Sequence, residues 1–306
     1  MQKTILSPRL DYALLFFPIW VGIAYLLGVI QFPQFSELIF IVFLVLLGET
    51  HFACTWLFFV DKNNWNYLKQ KQVVFFYFPA ILLALFFAIC LFDLTLGVLV
   101  SGAASGFHVT RQSIGVMRLA GHTKHGFAEL AVYAMSGAGL IAGFIRFKAE
   151  NLFGLSIDWI PLAILLVLIN LCFALYFSRS NKKMLASFLT GSCLYLCYMI
   201  VPSPQDAIAI GVGMHWCQYL ALNYKIHFKV GQFATNGLSA IVLIFLYAGT
   251  MAFFGTDGFT TTFLEVNSYL LLIPLTSQML HYYFDAFIWK LSDPHIRATV
   301  GKSLYG

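Results

Sequence analysis

Four histidines lie inside long apolar stretches of the sequence, where an imidazole is costly unless it has a partner. They are His51 in GETHFACTW, His108 in SGFHVTRQ, His215 in GMHWCQYL and His281 in SQMLHYYFDAF. Ionisable residues within membrane-spanning segments are rare and are usually functional. Neutral imidazole is also the side chain that most often binds a transition metal. The four histidines therefore indicate a shared metal site.

All four histidines are expected at one depth in a membrane. Each stands nine to eleven residues before the first basic residue that follows its apolar stretch. At about 1.5 Å per helical residue, this spacing puts each imidazole about 15 Å from one boundary, near the middle of a hydrocarbon core of about 30 Å. The alternative is four unrelated histidines, each hydrogen-bonded to a neighbouring helix. A common depth on four helices favours one metal bound by all four.

Polar residues follow the histidines one helical turn later. Residues four apart share a helix face, and these positions hold Thr55, Gln112, Tyr219 and Asp285. A histidine that binds a metal needs a partner for its other ring nitrogen, and Asp285 is the best candidate for this role. Tyr219 and Gln112 join Asp285 as candidate catalytic residues. Ordinary packing is the alternative for Thr55 and Tyr219.

Four imidazoles without a thiolate can bind iron, zinc, copper or nickel. An octahedral ferrous ion held by four histidines keeps two positions open for dioxygen or substrate, whereas the same four ligands close a tetrahedral zinc site. A structural zinc at the membrane midplane has little evident purpose, and redox chemistry on an apolar substrate has one. The expected cofactor is therefore Fe(2+), and the expected substrate is an apolar small molecule or lipid that enters from the bilayer.

The composition requires that the helices carrying these residues lie in a membrane. Of the 306 residues, 60% are hydrophobic and 10% are charged, and the mean hydropathy is +0.82. A soluble protein has about 25% charged residues. The expected fold is an all-α, polytopic helical bundle that forms one transmembrane domain over residues 1–306. The net charge of +5 is spread among the loops and forms no basic patch, so it does not indicate nucleic acid.

Apolar runs of about 20 residues predict transmembrane helices. Ten such spans are predicted, at residues 12–30, 36–60, 73–92, 94–118, 127–147, 157–178, 184–201, 206–224, 236–255 and 264–290. Only Asp93 and Leu94 separate the third span from the fourth. Four of the eight histidines, His122, His125, His227 and His295, fall in or beside predicted loops, where they are expected to be solvated.

The basic residues predict the orientation of these spans. They lie before the first span and after each even-numbered span, and only Arg146 and Lys148 break this pattern. Because basic loops stay in the cytoplasm, both termini are expected there. All four histidine-containing spans are even-numbered and should therefore run in the same direction.

The four histidine-containing stretches resemble those of the Brp/Blh family, integral-membrane β-carotene dioxygenases that cleave β-carotene to retinal. The resemblance covers residues from about 40 to 295 and rests on GETHFACTW, SGFHVTRQ, GMHWCQYLALN and LTSQMLHYYFDAFIWK. It implies that His51, His108, His215 and His281 bind iron, in an enzyme of the inner (plasma) membrane of a bacterium. The chain departs from the family in two ways. Tyr219 replaces the second histidine of an H-x-x-x-H pair, and an additional helix precedes the first matching span.

The expected function is therefore that of a non-haem iron dioxygenase, which adds O₂ across a double bond of a polyene or another apolar lipid. Carotenoid cleavage to retinal-like aldehydes is one form of this reaction. Three other functions are compatible with the sequence: a di-iron desaturase or hydroxylase, a metal or proton transporter, and a bis-histidine haem carrier. The first needs clustered histidine boxes, and His122 and His125 are the only close pair. The oligomeric state is left open.

Overall fold

The computed structural model of the chain is all-α, as predicted. It describes residues 4–121, 126–153, 158–178, 181–201, 203–230, 237–257 and 268–305, and these contain no strand. The predicted loop histidines His122 and His125 lie outside the described residues. So do residues 157, 236 and 264–267, which begin three of the predicted spans. The prediction that His227 is solvated is wrong: the residue is buried, because its π-helical turn, Tyr224–Lys229, packs against the helix Lys302–Tyr305.

Fifteen α-helical segments follow one another in the described part. The first seven are α1 Pro8–Leu10, α2 Ile19–Gln31, α3 Ser36–Phe43, α4 Thr50–Val60, α5 Lys62–Gln70, α6 Phe78–Phe92 and α7 Leu94–Leu119. The others are α8 Gly126–Phe153, α9 Ile160–Ser178, α10 Lys182–Cys193, α11 Pro204–Asn223, α12 Leu238–Asp257, α13 Leu272–Ile288, α14 Pro294–Ile296 and α15 Lys302–Tyr305. Wider π-helical turns occur at Asp11–Phe16, Leu44–Glu49, Val73–Tyr77, Tyr224–Lys229 and Arg297–Gly301, and 3₁₀ turns at Pro33–Phe35, Leu196–Met199 and Ser268–Leu271.

Several helical segments of the described part are long and apolar enough to cross a membrane. Five do so alone: Pro33–Val60, Val73–Phe92, Gly126–Arg146, Ile160–Ser178 and Leu238–Gly255. Pro8–Phe16 and Ile19–Gln31 make a sixth if they are counted as one span with a 64° bend. The bend lies at Pro18, whose ring cannot continue a helix. These segments support the predicted membrane location, while ten spans and cytoplasmic termini stay predictions.

The four other predicted spans fall short of this length and apolarity, and three of them carry a histidine. Helices α7 and α11 contain polar residues along their length, and α13 has 17 residues. The predicted span 184–201 is interrupted, because α10 ends at Cys193 and only a 3₁₀ turn follows. The Arg146 guanidinium donates to the carbonyl groups of Tyr198 (3.3 Å) and Val201 (2.7 Å) in this region. Arg146, one of the two exceptions to the charge pattern, therefore has protein partners.

The break predicted between the third and fourth spans is confirmed. Helix α6 ends at Phe92, and Asp93 Oδ1 accepts hydrogen bonds from the backbone N–H groups of Thr95 (2.8 Å) and Leu96 (3.2 Å). These N–H groups lie in the first turn of α7 and have no partner within the helix. One aspartate therefore separates two helices that the hydropathy alone would join.

The chain divides into two compact units. The first comprises Met1–Phe43 and Gly106–Ala221, and the second comprises Leu44–Ser105 and Leu222–Gly306. The single domain predicted over residues 1–306 stays a prediction.

In the first unit, α8, α9 and α10 pack against one another. Helix α9 is mostly exposed, because only 17% of its most apolar window is buried. Its buried residues form one stripe of small or polar side chains. On this stripe Asn170 donates to Cys193 Sγ of α10 at 3.0 Å. The stripe consists of Ala163, Asn170, Ala174 and Ser178.

Helix α11 of the first unit lies close to neighbouring backbone. A Cβ atom on Gly211 would overlap the carbonyl oxygen of Leu194, so only glycine fits this contact. One turn beyond His215, the Gln218 side-chain amide donates to the carbonyl oxygen of Leu15 at 2.7 Å. These two contacts position the part of α11 that carries His215.

In the second unit, α4, α12 and α13 pack against one another, and α13 also packs against α6. Phe86 and Cys90 of α6 form a buried cluster with Leu272 and Met279 of α13. This packing holds α4 and α13 side by side. The two helices carry His51 and His281.

Candidate metal centre

The second unit brings His51 and His281 together. Their Nε2 atoms are 3.1 Å apart, and the rings meet edge to face with 4.5 Å between centroids. The exposed fractions of the two residues are 1% and 0%. Both nitrogens therefore face each other in a site closed to water.

The backbone fixes the tautomer of His51. Its Nδ1 donates to the carbonyl oxygen of Gly48 at 2.8 Å. Because a carbonyl can only accept, the neutral ring carries its proton on Nδ1 and its lone pair on Nε2. Gly48 belongs to the π-helical turn Leu44–Glu49, and such turns often occur at functional sites. Gly48 is not recognisable as a site residue in the sequence, because a backbone carbonyl has no side-chain signature.

A second chain of contacts holds His281. Thr55 Oγ1 lies 2.6 Å from His281 Nδ1 and donates to Asp285 Oδ1 at 3.3 Å. Thr55 is four residues after His51 on α4, and Asp285 is four residues after His281 on α13, so the contact joins the two helices. The predicted partner of Nδ1, Asp285, thus reaches the ring through Thr55. The other carboxylate oxygen, Oδ2, is 3.7 Å from His281 Nε2.

Two hydrogen-bond arrangements are compatible with these distances. In the first, His281 Nε2 donates to His51 Nε2, and the Thr55 hydroxyl donates its only proton to His281 Nδ1 instead of to Asp285. In the second, His281 Nδ1 donates to Thr55, which donates to Asp285, and the two Nε2 lone pairs converge. Two lone pairs at this distance repel each other unless a cation lies between them. Only the second arrangement leaves both lone pairs available to a metal ion.

The separation of the two nitrogens fits two ligands of one metal ion. Nitrogens bound to one metal at about 2.1 Å lie about 3.0 Å apart at adjacent octahedral positions and about 3.4 Å apart at the tetrahedral angle. The observed 3.1 Å lies within this range, so both nitrogens can bind the same ion.

Aromatic side chains surround the pair. The Phe52 ring lies 4.1 Å from the His51 ring and 4.8 Å from the His281 ring, measured between centroids. Asp285 is buried beside these rings. A buried carboxylate is costly unless a positive charge compensates it. A divalent ion at the histidine pair would supply that charge.

The first unit contains the other predicted site residues. The rings of His108 on α7 and His215 on α11 lie edge to face with 5.6 Å between centroids, and both residues are buried. The Tyr219 ring is also buried, and its centroid is 6.3 Å from that of His215. Gln112, one turn after His108, is partly exposed. That all four histidines bind one metal stays a prediction.

No protein-family model, curated protein or solved structure matches the chain. The resemblance to the Brp/Blh family therefore remains an expectation from the sequence.

Proposed function

We propose that the chain is a membrane-embedded non-haem iron oxygenase that acts on an apolar lipid or polyene. The observation that carries the proposal is the 3.1 Å separation of the His51 and His281 Nε2 atoms in a buried site. The Gly48 carbonyl fixes the His51 Nε2 lone pair toward His281, and the His281 Nε2 lone pair points to the same place when its Nδ1 donates to Thr55. Ferrous iron bound there would supply the activation of O₂. The proposed ligand set keeps the predicted His108 and His215.

The residues around the pair have separate roles in this proposal. Gly48 and Thr55 hold the two rings in the orientation that a metal needs. Phe52 excludes water from the ligating nitrogens. Asp285 compensates positive charge and can accept a proton at Oδ2. Tyr219 and Gln112 keep the site roles proposed from the sequence.

The proposed substrate enters from the bilayer. Helix α12 packs against α4, and only 22% of its most apolar window is buried. The lipid phase therefore reaches the helix next to the one that carries His51. An apolar polyene dissolved in that phase needs no aqueous entrance. Cleavage of a carotenoid to retinal-like aldehydes is the specific form that the sequence resemblance favours.

Metal analysis of the detergent-purified protein tests the proposal. We expect about one iron per chain after anaerobic loading and its loss in His51→Ala and His281→Ala. His227→Ala is the matched control, because this buried imidazole belongs to the same unit but is not part of the pair. Iron loss in His108→Ala and His215→Ala would extend the site to four histidines. A wild type without iron, or full iron content in His51→Ala and His281→Ala, would sink the proposal.

Oxygen uptake separates an oxygenase from the other functions. The iron-loaded protein should consume O₂ when carotenoids or unsaturated lipids are added, without an electron donor. Dependence on a donor together with two irons per chain would favour the di-iron desaturase or hydroxylase. No uptake with any polyene or unsaturated lipid would count against oxygenase chemistry, even if iron is bound.

A further inference from the structure

A second polar site lies where apolar helices of the second unit end. It is a cavity of about 170 Å³, lined by Tyr67, Lys71, Val74, Phe75, Phe287, Lys290 and Asp293. Lys71 stands two residues before the apolar segment Val73–Phe92, and Lys290 stands two residues after the end of α13. The cavity therefore combines two ammonium groups with apolar walls at the boundary of a membrane-spanning segment.

Lys71 is held in place and keeps one donor unused. Its Nζ donates to Asp293 Oδ2 at 2.7 Å and to the Tyr67 hydroxyl at 2.9 Å. An ammonium group has three N–H donors, and the third has no acceptor within the described part of the chain, so it can serve a ligand. The Tyr67 hydroxyl in turn donates to Asp293 Oδ2 at 2.9 Å.

Asp293 is occupied by partners on both oxygens. While Oδ2 accepts from Lys71 and Tyr67, Oδ1 accepts from the backbone N–H groups of His295 (2.9 Å) and Ile296 (3.3 Å). The carboxylate thus caps α14 and positions Lys71. Its charge is balanced by Lys71 within the cavity.

Lys290 supplies the charge that remains. Its backbone takes part in hydrogen bonds, but its exposed side chain has no partner among the residues that the structure describes. With Lys71 and Asp293 balancing each other, the lining carries a net charge of about +1. The cavity therefore favours an anion.

The walls of the cavity favour an anion with an apolar body. Phe75 and Phe287 meet edge to face with 5.8 Å between centroids. Beside Phe75, on the apolar segment Val73–Phe92, Val73 and Phe76 have exposed fractions of 57% and 38%. Exposed apolar side chains next to a cation at a membrane boundary match the acyl chains and headgroup of a lipid. A free inorganic anion has no apolar part that could contact these walls.

We propose that this cavity binds the phosphate group of an anionic phospholipid. The phosphate oxygens accept hydrogen bonds from Lys290 and from the unused donor of Lys71. The acyl chains lie along the exposed surface of Val73–Phe92. The site shares no residue with the metal centre and does not depend on the proposed oxygenase function.

Native mass spectrometry of the purified protein with added phosphatidylglycerol tests the proposal. Lys290→Gln removes the unpartnered ammonium group, and we expect it to weaken phosphatidylglycerol binding about fivefold. Lys69→Gln is the matched control, because Lys69 is exposed, carries the same charge and does not line the cavity. This control should bind like the wild type, and phosphatidylcholine should bind more weakly than phosphatidylglycerol.

Three results would overturn the proposal. Unchanged binding by Lys290→Gln would exclude the cavity as the lipid site. An equal loss in both variants would show that general surface charge attracts the lipid. Displacement of phosphatidylglycerol by millimolar inorganic phosphate would assign the cavity to a soluble phosphate instead.

Discussion

A single hydroxyl group, that of Thr55, joins His281 to Asp285 and can be removed with little change in shape. Thr55→Val replaces the hydroxyl with a methyl group and keeps the branched side chain. His281 Nδ1 then loses its partner at 2.6 Å, and Asp285 Oδ1 loses a donor at 3.3 Å. The ring is free to rotate or to adopt the tautomer that puts a proton on Nε2. Either change removes the lone pair from the metal site.

The expected size of the effect follows from the burial of this contact. Loss of the partner that orients a metal-binding histidine costs about 10- to 100-fold in metal affinity. The contact between Thr55 and His281 is short and buried, so we expect a loss of about 30-fold, within that range. The buried nitrogen left without a partner should also cost about 1–3 kcal/mol of folding stability.

Competition with a chromogenic Fe(II) chelator under anaerobic conditions measures this affinity. Thr250→Val is the control, because the Thr250 hydroxyl donates to the carbonyl oxygen of Leu246 within α12 of the same unit. Thermal melting of the metal-free proteins detects a folding defect. A folded Thr55→Val variant with wild-type affinity would show that the Nδ1 partner does not orient His281 for a metal.

Two further predictions concern stability. Asp293→Asn keeps a helix-capping side chain but removes the ion pair with Lys71, so it should lower the melting temperature at pH 7. Desolvation acts to raise the pKa of Asp293, but hydrogen bonds from Lys71 and other donors lower it from 3.8 to about 2. The difference in melting temperature between wild type and variant should therefore be complete above pH 3.8 and vanish as the pH falls through about 2. The same difference at every pH would contradict this prediction. Gly211→Ala should destabilise the protein by about 1–3 kcal/mol, since its Cβ would overlap the Leu194 carbonyl. A Cβ atom on Gly102 would meet no atom within 4 Å, so Gly102→Ala should raise the folding stability by up to about 1 kcal/mol. Equal shifts in melting temperature for the two variants would count against the close contact at Gly211.

The sequence predicts part of the metal centre because helical spacing determines which residues share a face. That rule pairs Thr55 with His51 and Asp285 with His281 from their spacing alone. It does not reveal that Thr55 contacts the histidine of the other helix, since such contacts depend on how two helices pack. The Gly48 carbonyl is likewise invisible to a search among side chains.

The number of spans was harder to predict than the fold class. A hydropathy average finds helices whose surface is largely apolar and exposed. Most of the five segments that are long and apolar enough to cross a membrane by themselves are of this kind. A helix that faces protein does not need to be apolar, and the helices that carry His108, His215 and His281 are of this second kind. The hydropathy also does not reveal the interruption after Cys193. Arg146, from a distant part of the chain, donates to the carbonyls of Tyr198 and Val201 in this region.

The exposed positions of α9 are expected to tolerate many more substitutions in evolution than its buried stripe. Where a side chain meets only lipid, one apolar residue can replace another at little cost, so most of α9 can drift without altering the fold. The stripe that faces α10 has no such freedom. At Asn170 a leucine would lose the contact with Cys193 and bring a larger apolar group against α10. We therefore expect substitutions in α9 to be restricted mainly along this one edge of the helix.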